Sequence, residues 1–113
     1  MTDGGHGAGG GSDSNQAARW DAGFLGYLAQ VIAQRGRERT AGSYTVELLS
    51  AGVPRVAQKV GEEAVETVIA ALGADSQAVA AEAADLLYHL LVLLEVRGVS
   101  LDDVIAVLRR RHR

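Results

Sequence analysis

Two groups of acidic residues lie inside stretches that are otherwise rich in alanine, valine and leucine. The first reads Glu62-Glu63-x-x-Glu66 and the second reads Glu82-x-x-Asp85. Burying a carboxylate costs free energy unless a positive group stabilises its charge. Carboxylate oxygens are hard ligands that suit magnesium or manganese. Together, these acids predict a divalent-cation site and metal-assisted chemistry on phosphates.

Helical spacing places the acids of each group on one face. At 100° per residue, the first group and Lys59 span an arc of about 100°, and Glu82, Asp85 and His89 span about 60°. The short connection 73–75 allows two antiparallel helices to bring these arcs together. Glu-rich sites inside helical bundles are a known way to hold paired divalent metals.

A solvated acidic face without a ligand is the simplest alternative for such a cluster. Glu62 and Glu66 are like charges four residues apart, which destabilises a helix by a few tenths of a kcal/mol. Lys59 is the one nearby compensating base in that helix, and Glu82 and Asp85 occupy the most apolar stretch of the chain. These features favour a metal site over a solvated face.

Composition limits the classes of function. A chain of 113 residues is expected to form one domain, and its net charge of −3 and pI near 5.5 argue against a nucleic-acid partner. The absence of cysteine excludes disulfides, thiolate zinc sites and a cysteine nucleophile, and it fits a cytoplasmic location. The N-terminus lacks the basic patch and apolar run of a secretory signal.

The sequence predicts an all-α bundle of four to five helices. Residues 1–18 are rich in glycine, serine and aspartate and are interpreted as a disordered tail before the domain 19–113. Apolar residues at three- and four-residue steps predict a first helix from about Trp20 to Ile32, and the segment 35–39 after it is interpreted as a polar connection. Caps and glycines predict the other helices at Ser43 to Gly52, at Pro54 to about Leu72, from Asp75 or Ser76 to Arg97, and from Ser100 onward.

The segment 78–94 is apolar enough to raise the question of a membrane span. Glu82, Asp85 and His89 within it make membrane insertion costly, so a central helix of a soluble bundle is the better interpretation. A helix that is apolar nearly all round needs neighbours on every side. About 95 residues can hardly surround it alone, and the sequence therefore predicts a homodimer with no membrane partner.

Three longer segments resemble a known family. The pattern of both acidic groups is similar to the magnesium motif of the all-α NTP pyrophosphatase superfamily. More specifically, the segments 42–45 (GSYT), 58–67 (QKVGEEAVET) and 82–89 (EAADLLYH) resemble the phosphoribosyl-ATP pyrophosphohydrolase family. The resemblance runs from about Leu28 to Arg113.

The resemblance implies the second step of histidine biosynthesis, hydrolysis of phosphoribosyl-ATP to phosphoribosyl-AMP and pyrophosphate. It implies Mg²⁺, with Mn²⁺ as the alternative, as cofactor, and water as the nucleophile. By position, we assign Glu63, Glu66, Glu82 and Asp85 as metal ligands. Glu62 is assigned to orient or deprotonate the water, although Glu62 and Glu63 could exchange these roles.

Other polar residues have two interpretations each. Lys59 either contacts substrate phosphate, and is counted as a catalytic residue, or simply pairs with Glu62 or Glu63. For His89, a hydrogen bond in the core is favoured over catalysis. Tyr44 either touches the nucleotide or packs at a helix start.

Three further predictions concern residues that are not assigned to the metal site. Ser43 and Thr45 are interpreted as helix caps, and Tyr88 as a packing residue. The arginines of the segment 35–39 are interpreted as a solvated connection rather than a basic rim for the phosphoribosyl arm.

Two alternative functions remain at this point. One is a general house-cleaning NTP pyrophosphatase of the same superfamily, with the same metal ligands and different contacts to base and sugar. The other is a non-catalytic helical dimerisation module, in which the acids are only surface charge.

Overall fold

The computed structural model describes residues 21–39 and 41–113, and within these ranges the chain is all-α. This confirms the predicted fold class. The described part contains five helices and no strand: α1 (Gly23–Glu38), α2 (Tyr44–Ala51), α3 (Val53–Ala71), α4 (Ser76–Arg97) and α5 (Leu101–Arg111). The predicted tail 1–18 lies outside the described residues, so the domain boundary near residue 19 stays a prediction.

The interpretation of the segment 35–39 as a connection is wrong, because α1 continues to Glu38. Arginine and glutamate are good helix formers, and cations in the last turn interact favourably with the helix dipole. Arg35 and Arg37 occupy that turn. The helix ends where Arg39 adopts a left-handed conformation (φ 54°) and its N–H donates to the Arg35 carbonyl at 2.9 Å.

The predicted ends of α2 and the start of α3 are confirmed. The Ser43 hydroxyl accepts a hydrogen bond from the Val46 N–H at 3.3 Å and caps α2. Gly52 ends α2 with φ 90°, a value that glycine adopts without steric cost. Pro54 lies in the first turn of α3, where its missing N–H leaves no hydrogen bond unmade.

Side-chain caps also fix α4 and α5. Asp75 accepts from the Gln77 N–H at 2.9 Å at the start of α4, and Gly98 ends α4 with φ 72°. Ser100 and Asp103 form the predicted reciprocal capping box at the start of α5. At the end of α3 the prediction of a stop at Gly73 is one residue late, because Leu72 takes the capping position.

The core lies where α1, α2 and α3 meet the C-terminal half of α4. Helices α3 and α4 form the most extensively packed pair, joined by the connection 72–75. The apolar residues buried in the core are Ile32, Leu48, Val56, Leu91 and Val92. Two polar residues, Glu63 and His89, are buried as deeply as this core, with only 7% and 6% of their surfaces exposed. The fold therefore turns part of the acidic face of α3 inward.

While an acidic residue of α3 is buried, large apolar side chains on the outer side of the same helix face solvent. Leu72 is 84% exposed and Ile69 is 62% exposed. Similar exposed apolar residues occur along three helices: Val65 and Val68 on α3, Leu87 and Leu90 on α4, and Ile105 and Leu108 on α5. No residue of α5 is buried. Among the helices that the structure describes, none is long and apolar enough to cross a membrane.

Candidate metal centre

Three carboxylates converge between α3 and α4. Glu63 and Glu66 project from α3 and Glu82 projects from α4, and one oxygen of each lies within 4.8 Å of the others. Glu63 and Glu66 are three residues apart and therefore project from one side of α3. The packing of α3 against α4 brings Glu82 to them. We call Glu63, Glu66 and Glu82 the acidic trio.

Two oxygens of the acidic trio are buried without a hydrogen bond. Oε1 of Glu63 and Oε1 of Glu82 have no hydrogen-bond partner among residues 21–39 and 41–113. Buried polar atoms in folded proteins are almost always paired, so each such atom requires an explanation. A cation held between the carboxylates would satisfy both oxygens, and the acidic trio therefore fits a divalent metal.

Lys59 is the cation nearest to these acids in the described chain. Its Nζ atom lies 3.6 Å from Oε1 of Glu62 and 3.7 Å from Oε2 of Glu63. It thus stabilises the second oxygen of the buried Glu63 carboxylate, while Oε1 stays unpaired. These contacts are ion pairs with Glu62 and Glu63, the second of the two interpretations given above for Lys59.

Glu62 lies beside the acidic trio but not within it. Its side chain is exposed, and its Oε2 accepts a hydrogen bond from the Gln58 amide at 2.9 Å. This hydrogen bond lowers the pKa of Glu62 below its ordinary value of 4.5, and the positive charges of Lys59 and Arg55 act in the same direction. Glu62 is therefore ionised at neutral pH.

Gln58 is a contributor that the sequence interpretation missed. It is the first residue of the family-like segment 58–67, and the sequence alone predicts no role for it. Its position one helical turn before Glu62 was the available signal, because side chains four residues apart on a helix are neighbours.

Asp85 is the one assigned ligand that the structure leaves apart from the acidic trio. Its side chain is exposed, one helical turn beyond Glu82 on α4. Its backbone carbonyl accepts a hydrogen bond from Nδ1 of His89 at 2.7 Å. The structure therefore brings together three of the four predicted ligands, with the fourth one turn away.

Polar contacts also dock α2 against α4. The Tyr44 hydroxyl lies 3.1 Å from Nε2 of His89, and the Thr45 hydroxyl is hydrogen-bonded to the Tyr88 hydroxyl. The prediction that His89 makes a core hydrogen bond agrees with this geometry. The prediction that Thr45 caps α2 is wrong, because Ser43 supplies the cap and Thr45 faces α4 instead.

Arginines of α1 bind α2 through hydroxyl groups. Arg35 donates to Oγ of Ser43 at 3.3 Å, and Arg39 donates to Oγ of Ser50 at 2.8 Å. They therefore connect the C-terminal end of α1 to both ends of α2 rather than forming a solvated connection.

Most of the chain, including the acidic trio, is similar to a known protein family. Residues 25–112 match the family described as phosphoribosyl-ATP pyrophosphohydrolase. The chain belongs to this family. The match includes all of the acidic trio, Lys59 and Glu62, so the family resemblance read from the sequence is confirmed.

Individual relatives of this family fall into two kinds. The phosphoribosyl-ATP pyrophosphatases of Azorhizobium caulinodans and Metallosphaera sedula are 53% and 56% identical to the chain. The matches cover 79% and 74% of this chain, and 82% and 90% of those relatives. The histidine biosynthesis bifunctional protein HisIE of Xanthomonas axonopodis pv. citri is 54% identical over 79% of this chain but only 43% of its own length. The chain thus spans less than half of the bifunctional relatives that it matches.

Proposed function

We propose that this protein hydrolyses phosphoribosyl-ATP to phosphoribosyl-AMP and pyrophosphate, the second step of histidine biosynthesis, in the cytoplasm. The observation that carries the proposal is the pair of unpartnered buried oxygens of Glu63 and Glu82 in a chain of this family. Carboxylates aimed at one another in a half-buried space are unstable without a cation. A solvated acidic face is not expected to bury two carboxylate oxygens without hydrogen-bond partners.

The residues present fit a divalent cation with a preference for oxygen ligands. Glu63, Glu66 and Glu82 would hold Mg²⁺, or Mn²⁺ in its place, and we propose Asp85, one helical turn beyond Glu82, as a fourth ligand. When bound, such an ion neutralises phosphate charge and polarises the phosphorus toward attack. Lys59 already supplies one positive charge beside Glu63.

Glu62 is the group that we assign to the attacking water. It is ionised at neutral pH and exposed, so it can accept a hydrogen bond and then a proton from water. Glu63 is buried, and one of its carboxylate oxygens lies close to those of Glu66 and Glu82. These different surroundings support Glu62 as the base and Glu63 as the ligand.

The proposed reaction is a displacement at the α-phosphorus. The water oxygen bonds to this phosphorus while the bond to the oxygen that bridges the α- and β-phosphates breaks. One proton of the water passes to Glu62, pyrophosphate leaves, and phosphoribosyl-AMP remains.

We further propose that the protein acts as a homodimer. The exposed apolar residues of α3, such as Ile69, and the capping residue Leu72 form a stripe that a monomer leaves in water. Such patches usually mark interaction surfaces. No residue of α5 is buried, which leaves Ile105 and Leu108 available for the same interface.

Pyrophosphate release across a panel of nucleotides tests the proposed activity. Purified protein with MgCl₂ should release pyrophosphate from phosphoribosyl-ATP and show little turnover of ATP, dCTP or dUTP. Robust turnover of ordinary NTPs without action on phosphoribosyl-ATP would instead identify a general NTP pyrophosphatase. No turnover of any nucleotide, with no thermal shift on adding magnesium, would leave the dimerisation module as the function.

A further inference from the structure

The tyrosine at the start of α2 has an unusual combination of exposure and anchoring. Tyr44 is 50% exposed, yet its hydroxyl is hydrogen-bonded to His89, which is only 6% exposed. Its ring lies nearly parallel to that of Tyr88, with centroids 6.3 Å apart and an interplanar angle of 22°. The ring of His89 meets it edge-on at 6.1 Å and 80°. Tyr44 is thus an exposed aromatic ring held in one orientation.

The two hydrogen bonds of His89 define the direction of the one that it shares with Tyr44. Nδ1 of His89 lies 2.7 Å from the Asp85 carbonyl oxygen, which can only accept, so Nδ1 carries the proton. In the neutral imidazole, Nε2 is then the acceptor and the Tyr44 hydroxyl donates to it. A hydroxyl committed to a buried partner in this way cannot also donate to a ligand, which leaves the ring, packed against Tyr88 and His89, as the part that can contact one.

Tyr44 contacts α4 about two helical turns from the acidic trio. Glu82, Asp85 and His89 lie along one face of α4, and His89 is about 10 Å from Glu82 along the helix axis. Tyr44 contacts this face at the level of His89. If the acidic trio holds the phosphates at the level of Glu82, the nucleoside of the same substrate can span the separation of about 10 Å along α4 and contact Tyr44.

We infer that Tyr44 is a base-binding residue, whose half-exposed ring stacks on the purine of the substrate. This inference rests on the proposed function, because it takes the acidic trio as the phosphate end of the site. Every base offers a π-face, and stacking on an aromatic side chain stabilises a bound base substantially. His89 and Tyr88 act as positioning residues that hold the ring.

Steady-state kinetics of pyrophosphate release from phosphoribosyl-ATP tests the inference with three variants. Tyr44→Ala should raise KM about 10- to 100-fold, the range that base stacking supports, and leave kcat within about threefold. Tyr44→Phe keeps the ring and should keep KM within about threefold. Tyr27→Ala is the matched control, since Tyr27 is 46% exposed and its ring contacts Phe24 of its own helix; it should change neither constant.

Two results would overturn the inference. One is an unchanged KM in Tyr44→Ala, and the other is a KM in Tyr44→Phe as high as in Tyr44→Ala, which would assign the effect to the hydroxyl rather than the ring. If Tyr44→Ala does not fold, Tyr44→Leu keeps an apolar side chain against α4 and should show the same rise in KM.

Failure of the proposed function has a separate signature. Wild-type protein that releases no pyrophosphate from phosphoribosyl-ATP would contradict the function, whatever Tyr44 does. Calorimetric binding of AMP then decides the inference on its own. At least tenfold weaker binding by Tyr44→Ala than by wild type supports stacking, and equal dissociation constants overturn it.

Discussion

Glu63 of α3 and Glu82 of α4 each place a buried carboxylate oxygen, without a hydrogen-bond partner in the described chain, at the contact between the two helices. Oxygens of the two side chains lie within 4.8 Å of each other and of Glu66. Lys59 offsets part of the repulsion between them by neutralising one side of Glu63, and the proposed cation would offset the rest.

Removing a carboxylate from the acidic trio should separate metal binding from folding. Glu82→Gln should abolish turnover and also abolish the rise in melting temperature with MgCl₂, which in wild type reflects about 2.7 kcal/mol at 100 times Kd. Without metal, the variant should be as stable as wild type or more stable, since repulsion with Glu63 is relieved. Differential scanning fluorimetry with MgCl₂ and with EDTA measures both effects.

Glu95→Gln provides the control, because Glu95 is an exposed acid of the same helix outside the acidic trio. It should keep the magnesium response. A normal response in Glu82→Gln would show that Glu82 is not a ligand.

Replacing Lys59 tests its ion pairs. Lys59→Met should lower the free energy of unfolding of the metal-free protein by about 1–3 kcal/mol, between the values for exposed and buried pairs. The stabilisation by magnesium should become larger, because the ion then supplies the charge that the lysine supplied.

Arg55→Met removes the same charge one turn earlier on α3 and should change stability by no more than about 0.5 kcal/mol. Urea denaturation with and without MgCl₂ measures these differences. A tenfold rise in KM of Lys59→Met with unchanged stability would assign the lysine to substrate phosphate instead.

The hydrogen bond from Gln58 should set the acid limb of the pH–rate profile. Because it lowers the pKa of Glu62 below 4.5, Glu62 stays ionised as the pH falls, and activity is lost only when the pH passes below that lowered pKa. Gln58→Met should raise the pKa and move the acid limb to higher pH.

Gln34→Met is a matched control for this experiment. Gln34 donates to Glu38 at 2.8 Å with the same four-residue spacing on α1, away from the acidic trio. The acid limb of the pH–rate profile of Gln34→Met should coincide with that of wild type. Coincident profiles for Gln58→Met and wild type would show that Glu62 does not control this limb.

A charge placed on the exposed apolar stripe of α3 should disrupt the proposed dimer. Ile69→Lys should convert the protein to a monomer in size-exclusion chromatography with light scattering, because the stripe would then bury an unpaired charge. Gln34→Glu alters charge on α1 and should leave the mass unchanged. A monomeric wild-type protein would contradict the dimer outright.

The capping box of α5 should contribute to stability without affecting catalysis. Ser100→Ala removes the acceptor for the Asp103 N–H and should destabilise the protein by about 1 kcal/mol, or roughly 4–8 °C in melting temperature. Ser76→Ala is the control, because Asp75 rather than Ser76 caps α4. Equal melting temperatures for the two variants would contradict the assigned role of the cap.

The sequence by itself determined the helices, because their ends depend on local chemistry. Ser43, Asp75 and Ser100 cap helices through hydrogen bonds that span two or three residues, and Gly52 and Gly98 end helices because glycine tolerates positive φ. Apart from the one-residue offset at the end of α3, the exception is the end of α1. Charged residues suggested a connection there, but good helix propensity and the dipole carry the helix to Glu38.

The sequence also determined the family and which acids share a helix face, since these follow from motif and periodicity. Only the tertiary structure decided that Glu63 is buried, that Glu82 meets Glu63 and Glu66 while Asp85 lies one turn away, and that Tyr44 reaches His89 forty-five residues on. These relationships depend on how α3 and α2 pack against α4. Helical periodicity fixes the direction of a side chain around its own axis, but not the rotation and offset of one helix against another.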